Sequence, residues 1–345
     1  MTMPCSWSAP HTPQRGRVHG AMASVPAGSM IGKLCVVTGA NTGIGKEIAR
    51  EFARAGARVV LACRDRDRAA VAARDIIDDT GNRDVECRLL DLAEFASVRA
   101  FAEGFEGPRA EVHVLVNNAG AMFDAREGTP DGLERTWQVN CVSPHLLARL
   151  MMPSLRRAAA ASGDAPGAAR LVYVGSKLER SGDAAAVARG DHAACSPSSP
   201  PVPVPETSSA RSKFDTFGAY ATAKQCATAL TFELARRHAN HPGVSVHACT
   251  PGMVNTSLGR FAGLAFHLAW PARFLLTKSP ARGAEVPVRV ATNTEWTDTG
   301  GYFGTVSSFR AGEVVRLEPS ATARDAATGA ALWALAESQH GEVAS

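Results

Sequence analysis

Residues 33–47 read KLCVVTGANTGIGKE, and the fold is decided in this stretch. Lys33–Thr38 is a short apolar run rich in β-branched residues, the composition of a buried strand. Gly39, Gly43 and Gly45 follow, and Ile44–Ala55 then carries a helical pattern. A strand that turns through glycines into a helix is a phosphate-binding arrangement. The first glycine makes the tight turn, the second lets backbone approach a pyrophosphate, and the third lets helix and strand pack closely. The helix N-terminus adds free N–H groups and the positive end of a dipole. A glycine trio alone marks only a turn. With strand and helix in place it predicts dinucleotide contacts from Gly39, Asn41, Thr42, Gly43, Ile44 and Gly45.

The same alternation continues outward. Arg58–Cys63, Asp84–Leu89, Val112–Asn117, Arg170–Gly175 and Val244–Cys249 read as further strands. A helix to about Asp79, and long helices over Asp131–Ala159 and Ala219–His238, separate them. Short apolar strands between helices imply a parallel sheet covered on both faces. The predicted fold is therefore α/β: a single-domain, Rossmann-type, doubly wound parallel sheet over residues 31–340, with ligands beyond the carboxyl ends of its strands.

Two regions break the rhythm. Cys195–Ala210 contains five prolines, so it is neither helix nor central strand, and a Pro/Ser-rich insertion is expected at about 178–212. Residues 1–30 hold no acid, since the first is Glu47, and they contain Arg15, Arg17 and several serines and prolines. They read as a disordered extension, with an organelle-targeting peptide as the alternative.

Composition narrows the function classes. The 345 residues are 45% hydrophobic and 20% charged, with a net charge of +4. That charge comes with no dense basic run, so no nucleic-acid partner is expected. The eight cysteines form no CxxC pair, and neither they nor the ten histidines show zinc spacing. No metal is assigned, and an intracellular, cytoplasmic location is expected. No apolar run is long enough to span a bilayer.

The chemistry sits at the predicted strand ends. Arg64 stands 19 residues beyond Gly45, where an acid would suit the ribose 2′-hydroxyl of NAD and an arginine suits a 2′-phosphate. NADP(H) is therefore expected, with NAD(H) the second choice because Asp65 adjoins it. Asp91-Leu92 and Asn118-Ala119-Gly120 close the next two strands and are further cofactor candidates. Tyr220 and Lys224 share one helix face at i, i+4. A phenol titrates near pH 10, and a neighbouring ammonium pulls it toward working pH. Ser176, after the strand ending Val174-Gly175, supplies a hydroxyl donor for a substrate oxygen.

Taken in order, TGANTGIG, NNAG, Asn140, Ser176, YATAK and PGMVNT resemble the short-chain dehydrogenase/reductase family. LACRD, ELARR, TKSPARGAE and TGGYF make the chain most similar to its retinol-dehydrogenase-like reductases. The resemblance implies catalytic roles for four residues. Tyr220 is the acid/base, Lys224 tunes it and binds the nicotinamide ribose, Ser176 orients the carbonyl, and Asn140 holds a proton-relay water. It further implies that Pro251, Gly252, Val254 and Thr256 seat the nicotinamide carboxamide. Asp91 and Asn118 would touch the adenine and its ribose.

The expected function is hydride transfer between NADP(H) and the carbonyl or alcohol of a lipophilic substrate, retinoid-, steroid- or aldehyde-like. One alternative is an NADP(H)-sensing binding protein without turnover. Another is a C=C reductase of a pigment-like ring, suggested by Cys226 two positions after Lys224. The apolar stretch Phe261–Leu276 reads either as a lipophilic channel with peripheral membrane contact or as buried packing. A homodimer through the helices bearing Asn140 and Tyr220 is implied by the resemblance.

Overall fold

β1 (Leu34–Thr38) is buried on both faces, with Cys35, Val36 and Val37 fully inaccessible. A strand with that profile belongs at the centre of a parallel sheet. The computed structural model describes residues 25–107, 110–190, 214–241, 243–254, 277–306, 312–341 and 343. In it β1 pairs in parallel with β2 (Arg58–Cys63) on one side and with β4 (Val114–Asn117) on the other. The remaining strands are β3 (Val85–Leu89), β5 (Ala169–Val174), β6 (Val244–Cys249), β7 (Gly301–Thr305) and β8 (Val314–Arg316). Their order is β3-β2-β1-β4-β5-β6-β7-β8, with β8 alone antiparallel to its neighbour. The chain reverses its winding direction between β1 and β4, which opens a crevice at their carboxyl ends.

Helices cover both faces, as the sequence pattern predicts. On one face lie α1 (Gly43–Arg54), α2 (Arg66–Thr80) and α8 (Pro280–Thr292), which with β1 and β2 make one apolar layer around Val37, Phe52, Leu61 and Val286. On the other lie α3 (Phe95–Glu103), α5 (Ser143–Ala161) and α7 (Thr216–Arg237), packed around Leu115, Leu147, Tyr173 and Leu230. The helix expected over Asp131–Ala159 is interrupted. A single turn, α4 (Arg135–Trp137), runs into a π-helical turn at Gln138–Val142 before α5 begins. That turn carries Asn140.

Several elements had no clear signal in the pattern. β7 is GYFGT, whose glycines read as a loop, and β8 has three residues. In the stretch taken as an insertion, Lys177–Ser181 forms a 3-10 turn and α6 (Ala184–Ala188) follows. Glu179 is fully buried there and accepts from Ser320 N at 3.0 Å and Ser320 Oγ at 2.6 Å. Ser320 caps α9 (Ala321–Arg324), so residues 177–188 are tied into the domain. The proline-rich remainder, residues 191–213, lies outside the described residues, as do 1–24 and 255–276 with the whole apolar stretch Phe261–Leu276. Val25 and Met30, within the N-terminal extension, are buried.

The last helix, α10 (Ala326–His340), lies across α7 and reaches α5. The guanidinium groups of Arg149 and Arg237 lie over the Trp333 ring, 4.6 and 4.2 Å from its centre. Arg149 also pairs with Glu337 at 2.5 Å. Helix α7 is consequently buried without a break from Ala219 to Ala235. The α7 part of the face that the resemblance implies for a dimer is packed against the chain's own C-terminal helix. No helix among the described residues is long and apolar enough to cross a membrane.

Candidate active site

The glycine turn leaves β1 with Gly39 at φ 65° and re-enters helical geometry after Gly43 at φ 58°, both in the left-handed region that disfavours a side chain. Gly45 faces the turn it follows. A Cβ there would stand 2.5 Å from the Gly39 carbonyl oxygen and closer still to Asn118 Nδ2. Thr42, the N-cap of α1, makes no side-chain capping bond, so the first helix amides stay available to an anion. This donor set fits a pyrophosphate.

Thr38, absent from the predicted site, ties the two loops together. Its Oγ1 accepts from Asn118 N at 3.0 Å and Ala119 N at 2.9 Å, while its carbonyl accepts from Asn118 Nδ2 at 2.9 Å. Its position beside the first glycine was the available signal. Leu92 is buried, and the Asp91 carboxylate accepts from Ala93 N at 2.9 Å, shaping its own turn.

At the end of β2, Arg64 and Asp65 separate. Asp65 is the N-cap of α2 and accepts from Arg68 N at 3.0 Å. One of its carboxylate oxygens, Oδ1, is committed to the helix, whereas Arg64 is exposed.

The four predicted catalytic side chains converge beyond β4 and β5. Tyr220 and Lys224 are 4% and 2% exposed on α7. Ser176, which caps the 3-10 turn by accepting from Leu178 N at 3.2 Å, lies beside the Tyr220 phenol. Burial pushes that phenol above its ordinary value, and Ser176 opposes the shift. The expected lowering by Lys224 is not among its causes. Lys224 Nζ is instead 5.8 Å from the Tyr220 ring centre and donates to Val174 O at 3.0 Å. Burial draws the Lys224 ammonium down to about 8, with Cys141 and Cys249 acting weakly the other way.

The Asn140 side chain is engaged by the loop after β4 and by α4. Its Nδ2 donates to Ala121 O at 2.8 Å and Thr136 O at 2.9 Å, and its Oδ1 accepts from Ala121 N at 3.0 Å. Gly120 lies between Asn140 and Lys224: a Cβ on it would be 2.9 Å from Asn140 Oδ1 and 3.2 Å from Lys224 Nζ.

Pro251, Gly252 and Val254 follow β6, and Val254 forms a parallel bridge to Lys278. Thr256 lies outside the described residues. Buried Lys278 was not anticipated. It donates from its backbone to Met253 O at 2.9 Å and from Nζ to Thr305 Oγ1 at 2.7 Å, holding the segment against β7. Cys226 is fully buried within the apolar cluster under α7, the environment of a packing residue. No group of metal-ligating side chains occurs among the described residues.

A parallel sheet with its order reversed at β1/β4, a glycine turn opening a helix and a Tyr–Lys pair at the crevice defines a nicotinamide-binding oxidoreductase. Comparison with known proteins agrees. The family model for short chain dehydrogenase matches residues 33–186. Human retinol dehydrogenase 11 is 36% identical over 261 residues, covering 75% of this chain and 73% of that protein. Mouse polyprenol dehydrogenase is 34% identical over 308 residues, covering 88% and 82%. Among solved structures, an uncharacterized protein from Mycobacterium paratuberculosis superposes with a TM-score of 0.66 at 26% identity, over 94% of this chain and 98% of that one. The chain belongs to the short-chain dehydrogenase/reductase family, and its relatives include the retinol dehydrogenases.

Proposed function

We propose that this oxidoreductase uses NADP(H) to interconvert a carbonyl and an alcohol on a lipophilic substrate, with Tyr220 as the proton donor and acceptor. The observation that carries the reading is the buried Tyr220–Lys224 pair on one helix at the crevice, Lys224 Nζ 5.8 Å from the Tyr220 ring centre, with Ser176 beside the phenol. When bound, the nicotinamide supplies or removes the hydride. The protein's part is the proton. A phenol held above its ordinary value is protonated at neutral pH, the form that donates to a carbonyl oxygen as negative charge develops there. Ser176, beside the phenol, offers its hydroxyl to the same oxygen. Lys224 places a cation behind it.

Preference for NADP(H) is supported by the division of labour at β2. Asp65 caps α2, and exposed Arg64 is left to meet a 2′-phosphate. A lipophilic substrate is supported by the rim of the site. Leu178, Phe217, Met253 and Val306 are 39%, 49%, 47% and 79% exposed, and they follow β5, precede Tyr220, follow β6 and follow β7 respectively. Large apolar side chains left open around a catalytic pair suit an apolar ligand. The relatives named for retinol and polyprenol act on molecules of that kind. Reduced thiols at Cys35, Cys63, Cys141, Cys226 and Cys249 fit a reducing compartment, consistent with the cytoplasm.

Tyr220→Phe is the test. It is expected to bind NADPH as the wild type does and to lose about 10²–10⁴-fold in turnover on a panel of lipophilic aldehydes and ketones. Turnover within about tenfold of wild type would refute the assignment of Tyr220, and an inactive wild type on that panel would refute the proposed reaction.

A further inference from the structure

Lys224 is a buried cation that, among the described residues, has one hydrogen-bond acceptor, the carbonyl Val174 O, and no carboxylate pairing with it. An ammonium out of water needs compensation beyond one carbonyl. The groups around it come from four elements. β5 contributes the Tyr173 ring, whose centre is 4.9 Å from Nζ. The π-helical turn contributes Cys141 and β6 contributes Cys249, both buried thiols; the burial-raised Cys249 holds its proton at neutral pH. Helix α7 itself contributes Tyr220, whose ring centre is farther away at 5.8 Å.

The nearest of these aromatic faces is held in place. Tyr173 is 2% exposed, and its hydroxyl donates to the Asn140 carbonyl at 3.1 Å. That bond spends the phenol on the π-helical turn, leaving the ring face for the ammonium. Burial also keeps the Tyr173 phenol protonated, so the ring acts as a neutral π surface and not as a counter-ion.

We propose that the Tyr173 ring holds Lys224 in its ammonium form by a cation–π contact, which makes Tyr173 a positioning residue of the site. The inference rests on the reading of Lys224 as the cation behind Tyr220, but its test does not need turnover. It predicts that the ring matters and the hydroxyl does not. A desolvated contact of this kind corresponds to about one to one and a half pH units in the titration of Lys224.

The chain contains six lysines, so [13Cε]-lysine labelling of the full chain, without nucleotide, resolves them individually. Lys224→Arg identifies the Lys224 resonance by its loss. The Lys224 midpoint is expected to be unchanged in Tyr173→Phe and about one unit or more lower in Tyr173→Leu. Pentafluorophenylalanine at position 173 preserves shape while reversing the ring's electrostatics, and it should lower the midpoint as Tyr173→Leu does. It carries the test if the leucine chain does not fold. An unchanged midpoint with the fluorinated ring, or a drop in Tyr173→Phe as large as with that ring, would overturn the proposal. Wild-type inactivity toward carbonyls alongside the expected titration pattern would sink the functional reading alone. Normal activity with a flat titration series would sink this inference alone.

Discussion

Replacing Gly45 by alanine tests the nucleotide turn without any knowledge of the substrate. The added Cβ would lie 2.5 Å from the Gly39 carbonyl oxygen and 3.0 Å from its carbon. Ordinary contact between such atoms is about 3.5 Å, so the overlap is about 1 Å. Little there can yield. Gly39 is backbone, and Asn118, the other obstacle, is held by bonds of 2.9 and 3.0 Å to Thr38. Overpacking costs about 1–3 kcal/mol, and losing the Asn118–Thr38 bond adds about 1 kcal/mol. The gain in helix propensity on replacing glycine by alanine, about 0.5–1 kcal/mol, is too small to offset this. A net loss of about 2 kcal/mol lowers Tm by about 4 °C or less in a domain this large. The same strain displaces the amides that face the phosphates; losing two of those hydrogen bonds, at about 1 kcal/mol each, weakens NADPH by about thirtyfold at ~1.4 kcal/mol per decade. Fluorescence titration with NADPH and a thermal melt read both effects. Gly107→Ala is the control, because a Cβ there meets nothing within 4 Å. If Gly45→Ala binds NADPH within about threefold of wild type and melts at the same temperature, the close approach of turn and helix is not what the site requires.

Other consequences are equally direct. Arg64→Ala should weaken NADPH by about ten- to a hundredfold, the worth of charge-assisted bonds to a phosphate, and leave NADH nearly unchanged; equal loss for both would refute the 2′-phosphate assignment. His145, His238, His247 and His340 are all held below the ordinary histidine value, chiefly by burial, with His238 at about 4. The unfolded chain therefore takes up protons that the fold refuses. Stability is complete above about pH 6.5 and falls as pH drops from there toward 4, so Tm at pH 5 should lie below Tm at pH 7.5; a flat profile would contradict this. Because α10 packs along α7, where a dimer would form, light scattering at micromolar concentration should give the mass of one chain. A dimer held through α7 would show that α10 does not stay in place.

What could be read from the sequence was whatever local geometry dictates. Lys33–Glu47 declares strand, turn and helix within fifteen residues, because the left-handed turn and the close packing at Gly45 each exclude a side chain. Alternation of apolar strands and helices placed six of the eight strands to within about two residues. The glycine-rich β7 and the three-residue β8 carry too little pattern; β7 exists because β6 offers it an edge, and β8 because β7 does. Helix α10 is alanine-rich all round, so no apolar stripe announced where it would lie.

Residue identity and order were likewise enough to nominate Tyr220, Lys224, Ser176 and Asn140. Which partners surround them was decided by tertiary packing. Asp65 and Arg64 are neighbours in sequence with opposite fates, because α2 needs a cap and takes the carboxylate. Tyr173 is one apolar position among many in its strand, and only the approach of α7 and the π-helical turn sets it between Lys224 and Asn140. Sequence by itself determined the nucleotide turn and the chemical groups at the crevice, since those follow from backbone sterics and side-chain type over a few residues. Tertiary structure alone decided which charges are buried, what compensates them and which helix faces remain open, because those depend on contacts between segments far apart in the chain.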